Sequence, residues 1–193
     1  DVAGPELRGL TLAIDRSVSF THVPGDVHQR YARCSHPTAL ALERDIAALE
    51  YAEACRVTSR GKAAITAVLM AVCRPGTTIF THTLAYSGTL KLISRLAAQW
   101  GVIHQPLDLT SLNALASIEC KPGDVLWLES PANPTLDVLP MRALASFARQ
   151  HGLISIADNT LCPRQKCQLQ QLNSTSRFAV APGIWQACSN AAH

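Results

Sequence analysis

The chain has 193 residues, of which 48% are hydrophobic and 16% are charged, a composition that supports one large globular domain with a sizeable core. The net charge is +3, and the whole excess lies in residues 161–193, which carry three basic and no acidic residues. This excess is too small to predict a nucleic-acid partner. The longest apolar run, Ala63–Cys73, is too short to cross a bilayer, so no membrane partner is predicted either.

The cysteine pattern bears on the redox compartment, and the cysteines and histidines together bear on metal binding. The seven cysteines form no CxxC pair, and the seven histidines show no metal-ligand spacing. This pattern favours reduced thiols over a disulfide framework or a metal site. The chain also opens without the charged and apolar segments of a signal peptide. We therefore predict a cytoplasmic location and no bound metal.

The first part of the chain predicts an extended arm followed by a helix. Residues 1–37 have mixed composition and weak periodicity, which we interpret as an arm. Thr38 is a residue type favoured at helix N-caps, and Leu42, Ile46 and Leu49 follow it at helical spacing.

Strands and helices are then predicted in alternation as far as Asn159. The strands are expected in five segments that read, in chain order, CRVT, PGTTIFTH, VIHQP, DVLWLES and LISIADN. The helices are expected in KAAITAVLMAVC, GTLKLISRLAAQWG, SLNALASI and MRALASFARQHG, with Gly101 and Gly152 closing the second and the last. This alternation predicts an α/β fold, in which a mostly parallel sheet carries helices on both faces.

The character of the chain changes after Thr160. Residues 161–193 have no clear period and contain five glutamines. They are not typical of a further strand and helix. We therefore divide the chain into an arm (1–37), a domain (38–160) and a divergent tail (161–193).

Candidate functional residues follow the predicted strands. Ligands of parallel sheets bind beyond the carboxyl ends of the strands. Four segments fall there: Ser59–Lys62, Tyr86, Glu129–Asn133 and Asp158–Thr160. Gly61, between a strand and a helix, suits a phosphate that approaches the helix N-terminus, although a glycine there is more often only a tight turn.

The other three positions also have two interpretations. Asp158 could hold a protonated ring nitrogen through a charge-assisted hydrogen bond, or it could simply cap the next helix. Tyr86 could stack on a cofactor ring, or it could be a half-buried tyrosine bonded to the backbone. Asn133 could bond a ring oxygen, or it could belong to an Asn-Pro turn. Each structural alternative is the commoner one when its residue is taken singly.

Taken together, the segments resemble a known family. The combination YARCSHPT, LERDIAALEYAEACRVTSRGKAAITAVL, RPGTTIFTHTLAYSGT, LWLESPANPT and HGLISIADNT is similar, in this order, to the pyridoxal-phosphate enzymes of cysteine and methionine metabolism. These include cystathionine synthases and lyases and homoserine sulfhydrylases. The resemblance covers about residues 31–160 and implies the large-domain fold of the aspartate-aminotransferase type, with pyridoxal phosphate as cofactor.

The resemblance also implies roles for individual residues. The amides of Gly61 and Lys62 would hold the cofactor phosphate, and Tyr86 would stack on the pyridine ring and could assist proton transfer. Asn133 would bond the ring oxygen and Asp158 the ring nitrogen, while Thr160 would help pack the ring. An arm bearing Tyr31 and Arg33 would reach the phosphate of a neighbouring subunit, so a homo-oligomer or an association with paralogues is expected.

The chain also departs from the family pattern. The family has Ser-Ser-Gly-Met or close variants where this chain has Ser59–Lys62, and His36 replaces a usual asparagine. The Schiff-base lysine of the Ser-x-Thr-Lys-aromatic motif is not found. Residues 174–178 read STSRF, which could place Arg177 at the lysine position. Arginine cannot replace that lysine, because a guanidinium stays protonated.

These departures lead to two functional hypotheses. The first is a truncated or frame-disrupted enzyme of β- or γ-elimination or replacement on sulfur amino acids, with no catalytic activity as given and with an incomplete fold that lacks its last strands and its C-terminal domain. The second is a non-catalytic interaction or regulatory protein that associates with full-length paralogues.

Overall fold

The computed structural model describes residues 14–21, 31–50, 52–162, 176–181 and 186–189. Within these ranges the α-helices are α1 (Pro37–Glu50), α2 (Gly61–Val72), α3 (Ser87–Trp100) and α4 (Met141–Gln150), and Leu112–Ser117 form a 3-10 helix. The strands are β1 (Ala54–Val57), β2 (Thr78–His82), β3 (Ile103–Leu107), β4 (Val125–Glu129), β5 (Ile154–Asp158), β6 (Ser176–Ala181) and β7 (Gln186–Ser189). All five predicted strands and the predicted helices are present, and SLNALASI is the 3-10 helix.

The strands form one sheet in the order β1-β7-β6-β5-β4-β2-β3. β3, β2, β4, β5 and β6 are mutually parallel, whereas β7 is antiparallel to both β6 and β1. Six of the seven strands therefore run in the same direction. The prediction of a mostly parallel sheet is confirmed, and the carboxyl ends of these six strands meet at one edge.

Alternate residues of the central strands face opposite layers. Ile79, Val125, Trp127 and Ile156 pack with α2 and α3 on one face. Phe80, Leu126 and Leu128 pack with α4 and the 3-10 helix on the other. Every residue of β4 is buried, which is typical of a strand covered on both faces. The helices therefore lie on both sides of the sheet, as predicted.

Two glycines end helices in the predicted way. Gly101 follows α3 with a φ of 67°, and Gly152 lies just beyond α4 with a φ of 68°. A side chain is disfavoured in this left-handed conformation, so glycine is the residue that allows the chain to leave the helix and enter the next strand.

The start of α1 differs from the prediction. The helix begins at Pro37, a residue favoured in the first helical position. The Thr38 amide donates to His36 Nδ1 at 3.2 Å, so His36 is the residue that caps the helix. The Thr38 hydroxyl instead accepts from the Asp15 amide at 2.8 Å. The predicted N-cap at Thr38 is therefore wrong, because its side chain binds the arm rather than the helix.

The tail also differs from the prediction. β6 and β7 come from residues after 160, where no regular element was expected, and they lie between β5 and β1. Residues after Thr160 therefore add two strands to the sheet, contrary to the expectation that they are not typical of a further strand and helix. A strand that is paired on both sides has its backbone hydrogen bonds met by its neighbours, so it can form without a clear hydrophobic period.

The described helices include none that is both long and apolar enough to span a bilayer.

Candidate cofactor-binding site

A cavity of about 400 Å³ opens at the carboxyl edge of the sheet. It is lined by six of the predicted site residues: Gly61, Lys62, Tyr86, Asn133, Asp158 and Thr160. Arg60, Ile65, Glu129, Pro131 and Leu161 complete the lining. Residues that are far apart in the sequence meet here because parallel strands end at the same edge.

The start of α2 forms one end of the cavity. Arg60 is the extended residue before the helix, and the amides of Ala63 and Ala64 donate back to its carbonyl. The first amides of a helix have no acceptor within the helix, so those of Gly61 and Lys62 point out of the helix start. With the helix dipole and the cations of Arg60 and Lys62, this end of the cavity favours an anion.

Tyr86 forms a wall of the cavity just before α3. Its ring lies across Gly88, where an added Cβ would meet Tyr86 Cε1, with Cζ at 2.8 Å and Lys62 Cε at 3.0 Å. A side chain at Gly88 would therefore displace the tyrosine ring or the end of the lysine side chain. The side chain of Tyr86 is 38% exposed, so part of the aromatic surface remains free for a ligand.

Asp158 is the last residue of β5 and is buried. Its Oδ1 accepts from the Thr160 amide at 3.0 Å and from the Thr160 hydroxyl at 2.6 Å. Both bonds end on the same oxygen, so Oδ2 is the atom that can accept from a ligand. Burial raises the pKa of the Asp158 carboxyl above its ordinary value, and the two bonds from Thr160 oppose that rise.

Glu129, at the end of β4, is also buried. Its Oε2 accepts from the Tyr86 amide at 2.8 Å, and its Oε1 accepts from the Asn133 amide at 2.9 Å. Burial raises the pKa of Glu129, the two amide bonds lower it, and the charge of Asp158 raises it further. The carboxylate thus joins the loops that bear two of the predicted site residues.

Two residues of this site, Glu129 and Gly88, have no role in the sequence analysis. In the sequence Glu129 is only part of a segment that follows a predicted strand, and its bond to Tyr86 spans 43 residues. The need for Gly88 depends on where the Tyr86 ring lies, which the sequence does not encode locally.

Tyr31 and Arg33 lie outside the cavity. Tyr31 forms an isolated bridge with Ser19, and the Arg33 guanidinium lies 4.8 Å from the centre of the Tyr31 ring. Both side chains are exposed. Their contribution to the site of a neighbouring subunit stays a prediction.

The strand register places Arg177 away from the cavity. Ser155 pairs with Ser176 and Asp158 pairs with Val180, with an irregularity between Ser155 and Ile156. The backbone of Arg177 therefore lies near the amino end of β5, about 10 Å along the strand from the level of Asp158. This register does not support Arg177 as the residue at the lysine position.

The cavity carries opposite charges on different walls. Arg60, Lys62 and the start of α2 line the cavity, and so does Asp158 at the end of β5. Such a site suits a ligand that has an anionic group at one position and a protonated nitrogen at another. In the ranges described, no group of three or more histidine, cysteine, aspartate or glutamate side chains is arranged to hold a metal ion.

The sequence model of the family "Cys/Met metabolism PLP-dependent enzyme" matches residues 11–172. The chain is 34% identical over 130 residues to the cystathionine gamma-synthase of Mycobacterium tuberculosis, covering 67% of this chain and 34% of that protein. It is 34% identical over 154 residues to the O-succinylhomoserine sulfhydrylase of Pseudomonas aeruginosa, covering 78% of this chain and 37% of that protein.

The fold is similar to that of metB from Corynebacterium glutamicum, with a TM-score of 0.83 and 25% identity, covering 95% of this chain and 51% of that chain. This chain thus spans about a third of the curated relatives named here and half of the solved structure. The family match extends over most of the residues and agrees with the fold. The chain therefore belongs to the Cys/Met metabolism family of enzymes, whose cofactor is pyridoxal phosphate.

Proposed function

We propose that this chain binds pyridoxal phosphate in the cavity at the carboxyl edge of the sheet, as the cofactor-binding half of an enzyme of sulfur amino-acid metabolism. The observation that carries the proposal is the joint placement of Gly61, Lys62, Tyr86, Asn133 and Asp158 around one cavity of about 400 Å³. This volume lies in the ordinary range for a small-molecule site.

The residues present fit the phosphate of the cofactor. The amides of Gly61 and Lys62 at the start of α2 would donate to the phosphate oxygens. Arg60 and Lys62 add two cations beside them. Lys62 Cε lies 3.0 Å from where a Cβ on Gly88 would stand, so the outer part of this side chain lies beside Gly88.

The opposite walls fit the pyridine ring. Tyr86 would stack on one face, and Asn133 would bond the ring oxygen. The free Oδ2 of Asp158 would accept from the protonated ring nitrogen, while Thr160 fixes Oδ1. When bound, the cofactor supplies an electron sink for reactions at the amino-acid α-carbon. The chain's own part is to keep the ring nitrogen protonated through Asp158.

We further propose that the 193-residue chain alone does not turn over sulfur amino acids. Of the three lysines in the described ranges, Lys62 lines the cavity, whereas Lys121 donates to the Gly76 carbonyl at 2.8 Å and Lys91 is exposed on α3. The amide of Lys62 is one of the two that would hold the phosphate, and we do not expect its side chain to bond covalently to the cofactor. We propose that the whole enzyme catalyses β- or γ-elimination or replacement on sulfur amino acids. The names of the relatives support this reaction class.

The test is an absorbance titration of the purified chain with pyridoxal phosphate, before and after borohydride, followed by peptide mapping. We expect saturable binding with the absorbance of the free aldehyde, no specific lysine adduct, and no α-keto acid from cystathionine or methionine. Absence of saturable binding would refute the cofactor site. A specific lysine adduct together with keto-acid release would refute the proposed inactivity.

The alternative is an interaction protein, and one observation favours it. Large apolar side chains are exposed in the loops that border the cavity: Leu84 (51%), Leu136 (62%), Val138 (73%) and Leu161 (44%). Exposed apolar residues that form one contiguous patch are typical of interfaces. Size-exclusion chromatography of the chain alone, and mixed with a full-length homologue, would distinguish self-association and paralogue binding from a monomer.

A further inference from the structure

Glu129 has both carboxylate oxygens committed to the two loops of the cofactor site. Oε2 accepts from the Tyr86 amide at 2.8 Å, and Oε1 accepts from the Asn133 amide at 2.9 Å. The residue is only 4% exposed. The first bond reaches from β4 to the loop between β2 and α3, and the second reaches into the loop between β4 and α4. A single side chain therefore connects two loops that do not share a strand.

These bonds act on the backbone at the two positions that would meet the ring. Tyr86 precedes α3 and makes no side-chain capping bond of its own, so the Glu129 carboxylate anchors its amide. Tyr86 and Asn133 both line the cavity. Fixing their amides fixes the points from which a stacking ring and an amide group start.

We infer that Glu129 is a positioning residue of this site, one that holds Tyr86 and Asn133 at a set separation without touching the reaction itself. The inference rests on the proposed function in one respect only. It takes pyridoxal phosphate as the ligand, and the affinity for that ligand is expected to depend on the distance between Tyr86 and Asn133. The two hydrogen bonds that connect Glu129 to the two loops belong to the folded chain and exist without the ligand.

The role requires that both carboxylate oxygens of Glu129 accept a hydrogen bond. In Glu129→Gln the shape is kept, but one oxygen becomes an NH₂ group that faces a backbone N–H. Only one of the two loops can then stay bonded, and the other amide is left without its acceptor. Glutamine therefore tests the two hydrogen bonds while it preserves the volume of the side chain.

The same strand offers a matched control. Asp124 immediately precedes β4, is 2% exposed, and accepts from the Thr78 amide through Oδ1 at 2.8 Å and from the Lys121 amide through Oδ2 at 3.0 Å. It is thus also a buried carboxylate that joins two backbone segments. It lies at the amino end of β4, away from the cavity. Asp124→Asn disrupts the same kind of paired hydrogen bonds at the opposite edge of the sheet.

The first experiment needs no cofactor. Amide hydrogen exchange is measured at Tyr86 and Asn133 in the wild type, Glu129→Gln and Asp124→Asn. We expect protected amides in the wild type, at least tenfold faster exchange at one or both in Glu129→Gln, and unchanged exchange at both in Asp124→Asn. Equal exchange at these two amides in the wild type and Glu129→Gln would overturn the inference.

The second experiment compares pyridoxal-phosphate affinity in the same proteins. We expect Glu129→Gln to bind about tenfold more weakly, and Asp124→Asn to bind like the wild type even where both variants melt at lower temperature. Equal weakening in the two variants would mean that Glu129 acts through general stability only. If the wild type does not bind, the proposed function fails, and the exchange experiment still decides the role of Glu129.

If Glu129→Gln does not fold, the carboxylate can be titrated in place. The charges of Asp158 on β5 and His82 on β2 also act on the pKa of Glu129, so the amide signals of Tyr86 and Asn133 are followed with pH in Asp158→Asn, which removes one neighbouring titration. Because Glu129 must be ionised to accept from both amides, we expect both signals to move together at one midpoint. Separate midpoints, or no movement, would overturn the inference.

Discussion

Two Asp-x-Thr segments of this protein make the same local hydrogen bonds in different surroundings. Asp108 Oδ1 accepts from the Thr110 amide at 3.0 Å and from the Thr110 hydroxyl at 2.6 Å. Asp158 Oδ1 accepts from the Thr160 amide and hydroxyl at the same two distances. Asp108 is exposed just after β3, whereas Asp158 is buried at the end of β5 and lines the cavity.

The surroundings reverse the direction in which the pKa moves. The bonds from Thr110 hold the pKa of Asp108 below its ordinary value, whereas burial raises the pKa of Asp158 against the same kind of bonds. The motif therefore fixes one carboxylate oxygen in both places, and burial beside a cavity decides whether the other oxygen is available to a ligand. A short sequence pattern alone could not separate these two aspartates.

The largest expected effect separates them through the ligand. Asp158→Asn keeps an oxygen for Thr160 but replaces Oδ2 with a donor, so the ring nitrogen loses its charged acceptor. We expect pyridoxal-phosphate affinity to fall about 10- to 100-fold, since a hydrogen bond to a charged group contributes roughly 1.5–3 kcal/mol. Asp108→Asn is the matched control and should bind like the wild type in the same absorbance titration. Equal affinities of Asp158→Asn and the wild type would contradict the assignment of Asp158.

A smaller effect is expected when the aspartate is kept and the wall of the cavity is changed. In Gly88→Ala the new methyl group would occupy the space of the Tyr86 ring and lie 3.0 Å from Lys62 Cε. We expect affinity to fall about 2- to 10-fold, because a ring stacking contact contributes roughly 0.5–1.5 kcal/mol.

The fold of Gly88→Ala should not suffer to the same extent, because alanine favours the helix by about 1 kcal/mol over glycine. Ser87→Ala, in the same helical turn and exposed, is the control. Loss of affinity in both variants would point to the helix start rather than to the tyrosine ring. Unchanged affinity in Gly88→Ala would mean that the ring does not contact the ligand.

The sequence predicted the sheet from β1 to β5 because each unit carries strong local signals. Buried strands such as β4 are continuous apolar runs, and Gly101 and Gly152 mark helix ends by a conformation that glycine adopts most readily. β6 and β7 carry no such signal. Neighbouring strands on both sides meet their backbone hydrogen bonds, so these strands can form without a hydrophobic period.

The candidate site was predicted in part for a similar reason. Its residues follow strands, and parallel strands end at one edge, so the placement of Gly61, Tyr86, Asn133 and Asp158 followed from the alternation of elements. The link from Glu129 to Tyr86 could not be predicted, because a backbone amide has the same chemistry at every position. The register of Arg177 depends on strand pairing that the tail sequence does not specify.

The smallest expected effect is on stability, and it has opposite signs for the two aspartates. The ordinary pKa of both is 3.8. The pKa of folded Asp158 is raised, so its contribution to stability is complete below pH 3.8 and is lost as the pH rises from 3.8 through the folded value. The pKa of folded Asp108 is lowered, so its contribution is present above pH 3.8 and is lost as the pH falls through the folded value.

Urea unfolding of the wild type and both asparagine variants across pH 2–7 (roughly the range in which carboxyl groups titrate) measures this difference. Relative to the wild type, Asp158→Asn should gain stability as the pH rises above 3.8. Asp108→Asn should be less stable than the wild type at neutral pH, with the difference shrinking below pH 3.8. If the two differences changed with pH in the same direction, burial would not be what distinguishes the two segments.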